Sequence, residues 1–111
     1  MPAPTSPKKR SLMPSTPLRR KLRGAGHALS AVVQIGKEGA SAAVIKQVHG
    51  ALADHELIKI KLGSECPEDR FAVAERLAAE SDVRVVQVLG RTLLLYRRDP
   101  ELSRYEPRSA P

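Results

Sequence analysis

The spacing of apolar residues changes along this chain, and each change marks an element. Leu18, Leu22, Ala25 and Leu29 fall on one face at about 100° per residue. Thr16 and Pro17 precede them as an N-cap and a first-turn proline, so a helix is predicted from there to about His27. Gly24 and Gly26 weaken its end. Ala31–Ile35 reads as a short buried strand. A second helix is predicted from Ser41 to about His55, with Val44, Val48, Ala51 and Leu52 facing inward. In 57–63 the period falls to two, with Ile58, Ile60 and Leu62 on one side and Lys59 and Lys61 on the other, as in a half-exposed strand. Pro67 is expected to open a third helix that buries Phe71, Ala74, Leu77 and Ala78 and ends near Asp82. Residues 83–98 read as two strands joined at Gly90-Arg91, a spacing that suits a tight hairpin.

The order is therefore α-β-α-β-α-β-β. Strands alternating with helices predict right-handed crossovers and parallel pairing of the first three strands, with the hairpin adding one antiparallel strand. The predicted fold class is α/β, a single small two-layer sandwich whose four-stranded mixed sheet has one face covered by helices. Residues 16–98 form the expected domain. Residues 1–15 carry Pro2, Pro4, Pro7 and Pro14 among Ser, Thr and Lys and are expected to be disordered. Residues 99–111 form a polar tail.

Composition narrows the function. With 111 residues and 41% hydrophobic content there is room for one modest core, and at 3% aromatics it must be aliphatic. No apolar run approaches the roughly 20 residues of a membrane span, and the basic N-terminus lacks the apolar stretch of a secretory signal. A single cysteine, Cys66, fits a reducing cytoplasm and allows no internal disulfide. The net charge of +7 is distributed unevenly. Residues 1–30 hold seven basic groups and no acidic one, while 31–111 hold twelve of each. All of the excess lies at one end, which points to a polyanionic partner.

Three candidate contact sets follow. Gly36, Lys37, Glu38 and Gly39 lie where a strand hands over to a helix. A Gly-x-x-Gly turn there lets backbone approach a ligand, the helix start offers unpaired N–H groups, and Lys37 adds a charge at the tip. The spacing is neither a Walker A loop nor a Rossmann fingerprint; its nearest mechanical relative is the GXXG loop of KH domains, which clamps a nucleic-acid backbone. An ordinary turn is the plainer alternative, and Glu38 opposes an anion. Lys59 and Lys61 make a positive stripe on one strand face, although such lysines also block edge pairing. Arg19, Arg20 and Arg23 fall together on the far side of the first helix and continue the uncompensated basic segment.

Enzyme chemistry finds little support. His27, His49 and His55 have no metal-ligand spacing, Cys66 has no evident histidine partner, and no carboxylate pair can be assigned. No cofactor, metal or small-molecule substrate is expected.

The segments "LRGAGHAL", "VVQIGKEG", "ELIKIKL" and "VVQVLGRTLLLYRR", in this order, resemble the CRM domain, the chloroplast RNA splicing and ribosome maturation family, in its stand-alone bacterial YhbY-type form. The resemblance spans roughly 17–98. It implies the same element order, similar to the C-terminal domain of translation initiation factor three, and association with precursor large ribosomal subunits. It implies RNA contact at Gly36, Lys37, Glu38 and Gly39. Where the family pattern has Lys-Pro before the first strand, this chain has Ser30-Ala31. The expected function is that of a monomeric, cytoplasmic, non-catalytic protein that binds large-subunit rRNA or a pre-ribosomal particle through phosphates and RNA shape, with base stacking not the main mode. The alternative is a protein-interaction module that docks a basic face on an acidic partner.

Overall fold

The computed structural model describes residues 16–80 and 82–106. The expectation of disorder over 1–15 lies outside the described residues. Helix α1 spans Pro17–Gly26, strand β1 Ala31–Ile35, helix α2 Ala42–His55, strand β2 Leu57–Leu62, helix α3 Arg70–Ala78, and strands β3 and β4 Arg84–Leu89 and Thr92–Tyr96. The fold is a small α/β unit with three helices and a four-stranded mixed sheet, as the periodicity predicts.

Local chemistry sets the helix starts. The Thr16 side chain accepts the Arg19 N–H and Pro17 opens the first turn. Ser41 accepts the Val44 N–H at the start of α2. The third helix begins at Arg70, not at Pro67, because Asp69 is the residue that caps it, accepting the Phe71 N–H. It also stops at Ala78, well short of Asp82, which sits at φ 68° in the turn into β3. Val73, Ala74 and Leu77 are its buried residues, and Phe71 is only half-buried.

The sheet order is β1-β2-β4-β3. β1 and β2 pair in parallel, and β4 pairs antiparallel with both β2 and β3. The third strand thus runs in the direction of the first two, but parallel pairing of all three is not what forms: β4 is inserted between β2 and β3. Its sequence Thr-Leu-Leu-Leu-Tyr suits this place, since a strand covered on both faces reads as a continuous apolar run. β3 is an edge, marked by the exposed Arg84 and by a register shift between Val85 and Gln87. β1 is the other edge and is not fully buried: Val33 and Ile35 point inward while Val32 is 52% exposed.

Helices α2 and α3 cover one face of the sheet. Val48, Leu52, Val73, Ala74 and Leu77 pack there on Val33, Ile35, Ile58, Ile60, Leu62, Val85, Leu93 and Leu95. Each buried aliphatic side chain contributes about 1.5–3 kcal/mol relative to leaving it in water. This is the two-layer core. Helix α1 lies against the opposite face, where Leu22, with Leu18, Ala25 and Leu29 beside it, packs on Leu57, Val86, Leu94 and Tyr96. The predicted apolar stripe of α1 is correct. Its docking site is the second face because α2 and α3 already occupy the first.

Candidate nucleic-acid interface

The turn at 36–39 is built by two kinds of constraint. Gly39 N–H donates to Gly36 O at 3.0 Å, closing the turn, and Gly39 has φ +66°, which favours glycine. Glu68 then reaches in from the loop before α3, and its Oε1 accepts the Ala40 N–H at 2.7 Å. A Cβ on Gly39 would collide with that carboxylate where it now lies, so a side chain at 39 would have to displace Glu68 as well as hold the left-handed φ. At 36 a Cβ would meet only Glu65 Oε1 at 3.7 Å, an ordinary contact. Lys37 and Glu38 are exposed at the tip. The N–H groups of Gly39, Ala40, Ser41 and Val44 all have partners within the protein. The turn itself is thus satisfied from inside, while the Ala42 and Ala43 N–H groups that open α2 have no partner among the described residues, and the outward charged feature of the turn is its tip.

The strand lysines lie on the α1 face. Lys61 is exposed and Lys59 half-buried, each in the half of that face which α1 leaves bare. A row in register crosses all four strands there: Gln34, Lys61, Thr92 and Leu89, the last 62% exposed. Beside it, Gly26 and His27 from the end of α1, with Lys59 and Gln87, line a depression of about 110 Å³. Pairing brings the turn and Lys61 to one end of the sheet, with Lys59 one step further along the same face: Ile35 opposes Leu62, and Gly63 N–H donates to Ile35 O at 2.8 Å. The hairpin tip joins them, since Leu62 N–H donates to Arg91 O at 2.7 Å and Arg70 Nη1 donates to Gly90 O at 2.9 Å.

The three arginines of α1 separate. Arg20 and Arg23 are exposed, but Arg19 is half-buried and its Nε donates to Val86 O at 2.8 Å. Arg19 therefore fastens the helix to β3. None of Arg20, Arg23, Lys37, Lys59, Lys61 and Arg91 forms an ion pair with another described residue. Arg91, placed with the candidate lysines, carried no sequence signal beyond the turn itself. His49 serves the fold, its Nε2 facing Glu80 Oε1 at 3.2 Å and its carbonyl accepting from Arg97.

A second polar centre has no counterpart in the sequence pattern. Glu56, 5% exposed and at φ 65°, ends α2 where no glycine is available. Its carboxylate accepts from Tyr96 Oη, Ser103 Oγ and the N–H groups of Asp99 and Arg104. Burial raises its pKa, but the hydrogen bonds from Ser103, Arg104, Asp99 and Tyr96 outweigh this and hold it below the usual 4.5. The Tyr96 hydroxyl also faces Glu106 Oε1 at 2.7 Å, and burial, with that carboxylate, pushes its pKa up. Tyr105 meets the Tyr96 ring edge-on at 6.0 Å, and Lys21 Nζ donates to Tyr105 O at 3.2 Å. Residues 99–106, the described part of the expected polar tail, are clasped to the sheet and to α1.

Known proteins give an independent view of the chain. The CRS1 / YhbY (CRM) domain matches residues 15–97. The probable RNA-binding protein YqeI of Bacillus subtilis is 39% identical over 88 residues, covering 79% of this chain and 92% of that protein. A Haemophilus influenzae protein named as RNA-binding is 33% identical over 94 residues, covering 85% and 95%. The solution structure of the hypothetical protein SAV1595 of Staphylococcus aureus, a candidate RNA binding protein, superposes with a TM-score of 0.71 at 32% identity, covering 85% of this chain and 98% of that one.

Proposed function

The chain belongs to the CRS1 / YhbY (CRM) domain family, and from that premise we propose that it is a non-catalytic RNA-binding protein that acts, as a cytoplasmic monomer, on large-subunit rRNA during ribosome assembly. One juxtaposition carries the RNA reading. Lys59 and Lys61 stand without ion-pair partners on the bare half of the sheet, Arg20 and Arg23 project from the helix on that same face, and Lys37 tips the turn at its end. Cations without ion-pair partners among the described residues, spread over one side of the sheet, suit the phosphates of folded RNA. The names of the relatives support RNA as the ligand. The assignment to the large subunit rests on the family resemblance.

Phosphate and shape recognition also fits the placement of the aromatic rings. Tyr96 is buried, Tyr105 is packed against it, and Phe71 lies half-buried beneath the Arg70 guanidinium at 4.8 Å. The bare row of the sheet holds Gln34, Lys61, Thr92 and Leu89, so it offers no ring on which a base could stack.

The test compares the full chain with Lys59→Ala/Lys61→Ala, titrating a large-subunit rRNA fragment, an unrelated structured RNA and an acidic protein of matched charge across a salt series. The double variant should lose affinity equally for both RNAs and lower the slope of log K against log salt by about two units, with an unchanged melting temperature. Equal binding of the acidic protein, with the same salt dependence, would favour a protein-docking module instead.

A further inference from the structure

The turn just before α2 already holds an anion, and it belongs to the protein. Glu68 lies 28 residues beyond Ala40 in sequence, yet its Oε1 accepts the Ala40 N–H at 2.7 Å and fills the space beside the Gly39 Cα. A phosphate entering there would have to displace a tethered carboxylate. Three neighbouring N–H groups are also turned inward, Gly39 to Gly36 O at 3.0 Å, Ser41 to Gly39 O at 2.9 Å and Val44 to Ser41 Oγ at 3.3 Å, while those of Ala42 and Ala43 have no partner among the described residues. Two further carboxylates guard the corner, Glu38 at the tip and Glu65 beside Gly36 and Gly63. Like charges repel a phosphate from this corner, while Lys37 stands exposed at its outer end.

We infer that Glu68 is a positioning residue for RNA contact: by accepting the Ala40 N–H just before the α2 cap it fixes the 36–39 turn, so that RNA meets the turn through Lys37 and not through the Ala40 N–H. This rests on the RNA-binding reading above. The geometry assigns a division of labour within the corner. A carboxylate supplied by the next crossover loop holds the turn at Ala40, and the tip makes the contact. A side chain at 39 would have to displace that carboxylate, so the second glycine of the motif serves the protein's own packing.

The experiment uses the full chain and a structured large-subunit rRNA fragment at fixed salt, with Lys37→Ala, Glu68→Ala, Glu68→Asp, Glu68→Gln and the Lys37→Ala/Glu68→Ala pair. Lys37→Ala should weaken binding by about five- to thirty-fold, the loss of one charge-assisted contact. Glu68→Ala should weaken it comparably, and the pair no further than Lys37→Ala alone, because both act through the same contact. Glu68→Gln keeps an oxygen that accepts the Ala40 N–H and should stay within about two-fold of the parent. Glu68→Asp keeps the charge but loses reach and should resemble Glu68→Ala, which separates position from charge. Hydrogen exchange at the Ala40 amide reports the turn directly, with protection kept in Glu68→Gln and lost in Glu68→Ala. Tighter RNA binding by Glu68→Ala or Glu68→Gln would overturn the inference, since Glu68 would then be excluding a phosphate that the helix start can hold. An additive loss in the pair would overturn it as well. If the parent binds RNA but Lys37→Ala binds equally, the inference fails while the RNA reading survives through the sheet lysines. A parent that binds no RNA removes the reading itself.

Discussion

Arg19, Arg20 and Arg23 carry the same charge on the same helix, yet their surroundings give them different work. At about 100° per residue Arg19 lies one step from Leu18, at the border of the apolar stripe. Its long side chain can therefore bend over the sheet and donate to Val86 O, while Arg20 and Arg23 stay in water. Arg19→Ala should lower stability by about 1 kcal/mol, seen as an earlier denaturant midpoint. Arg20→Ala and Arg23→Ala should leave that midpoint alone and each lower the salt slope of RNA binding by about one unit. The reverse pattern would assign the arginines wrongly. The sequence placed the three on one helix but could not show which of them a neighbouring strand would recruit.

Two glycines in α1 look equivalent in the sequence and are not. A Cβ on Gly24 would meet nothing within 4 Å, whereas one on Gly26 would stand 2.6 Å from Leu94 Cδ2 in the packed second face. Gly24→Ala should therefore raise stability by about 0.5–1 kcal/mol through helix propensity. Gly26→Ala should lower it by about 1–3 kcal/mol by pushing α1 off the sheet. Thermal melts of the two variants should move in opposite directions. The junction of α2 with β2 makes a similar point. No glycine marks it, and the chain turns there at Glu56, whose carboxylate binds residues 99–106. Since the folded pKa lies below 4.5, the clasp contributes fully above that pH and is lost as pH falls through the folded value. Hydrogen bonds from the Leu102 and Glu101 N–H groups hold Asp99 low too, so it acts in the same direction. The chain has no tryptophan, and Tyr96 and Tyr105 form an edge-on pair across the clasp. The near-UV tyrosine signal should collapse on acidification before helical structure does. Glu56→Ala should remove that early step and lower stability by about 1–3 kcal/mol. An acid transition unchanged in Glu56→Ala would locate the sensitive group elsewhere.

For the molecule as a whole, electrostatics and topology come from different parts of the chain. Residues 31–111 are formally balanced, and the basic excess lies in residues 1–30. Deleting residues 1–15 removes Lys8, Lys9 and Arg10. The slope of log K against log salt for RNA should fall by about 2–3 units if those groups meet phosphates. An unchanged slope would confine the interface to α1, the sheet lysines and the 36–39 turn. Melting of the deletion variant serves as the control and should match the parent.

The sequence by itself determined the elements, because their signals are local. A period near 3.6 or of two, a cap at Thr16, and a turn at Gly90-Arg91 each depend on residues within a few positions. It also determined that Lys59 and Lys61 would face away from the main core, since alternation along β2 leaves no other choice. What lay between elements was decided only in three dimensions. The place of β4 between β2 and β3, the docking of α1 on the second face and the recruitment of Arg19 all depend on which apolar surfaces were already covered. The roles of Glu56 and Glu68 depend on polar atoms meeting across 28 to 48 residues of chain, a distance over which no periodicity reports. Burial of those atoms required partners, and the fold supplied them from wherever the backbone passed.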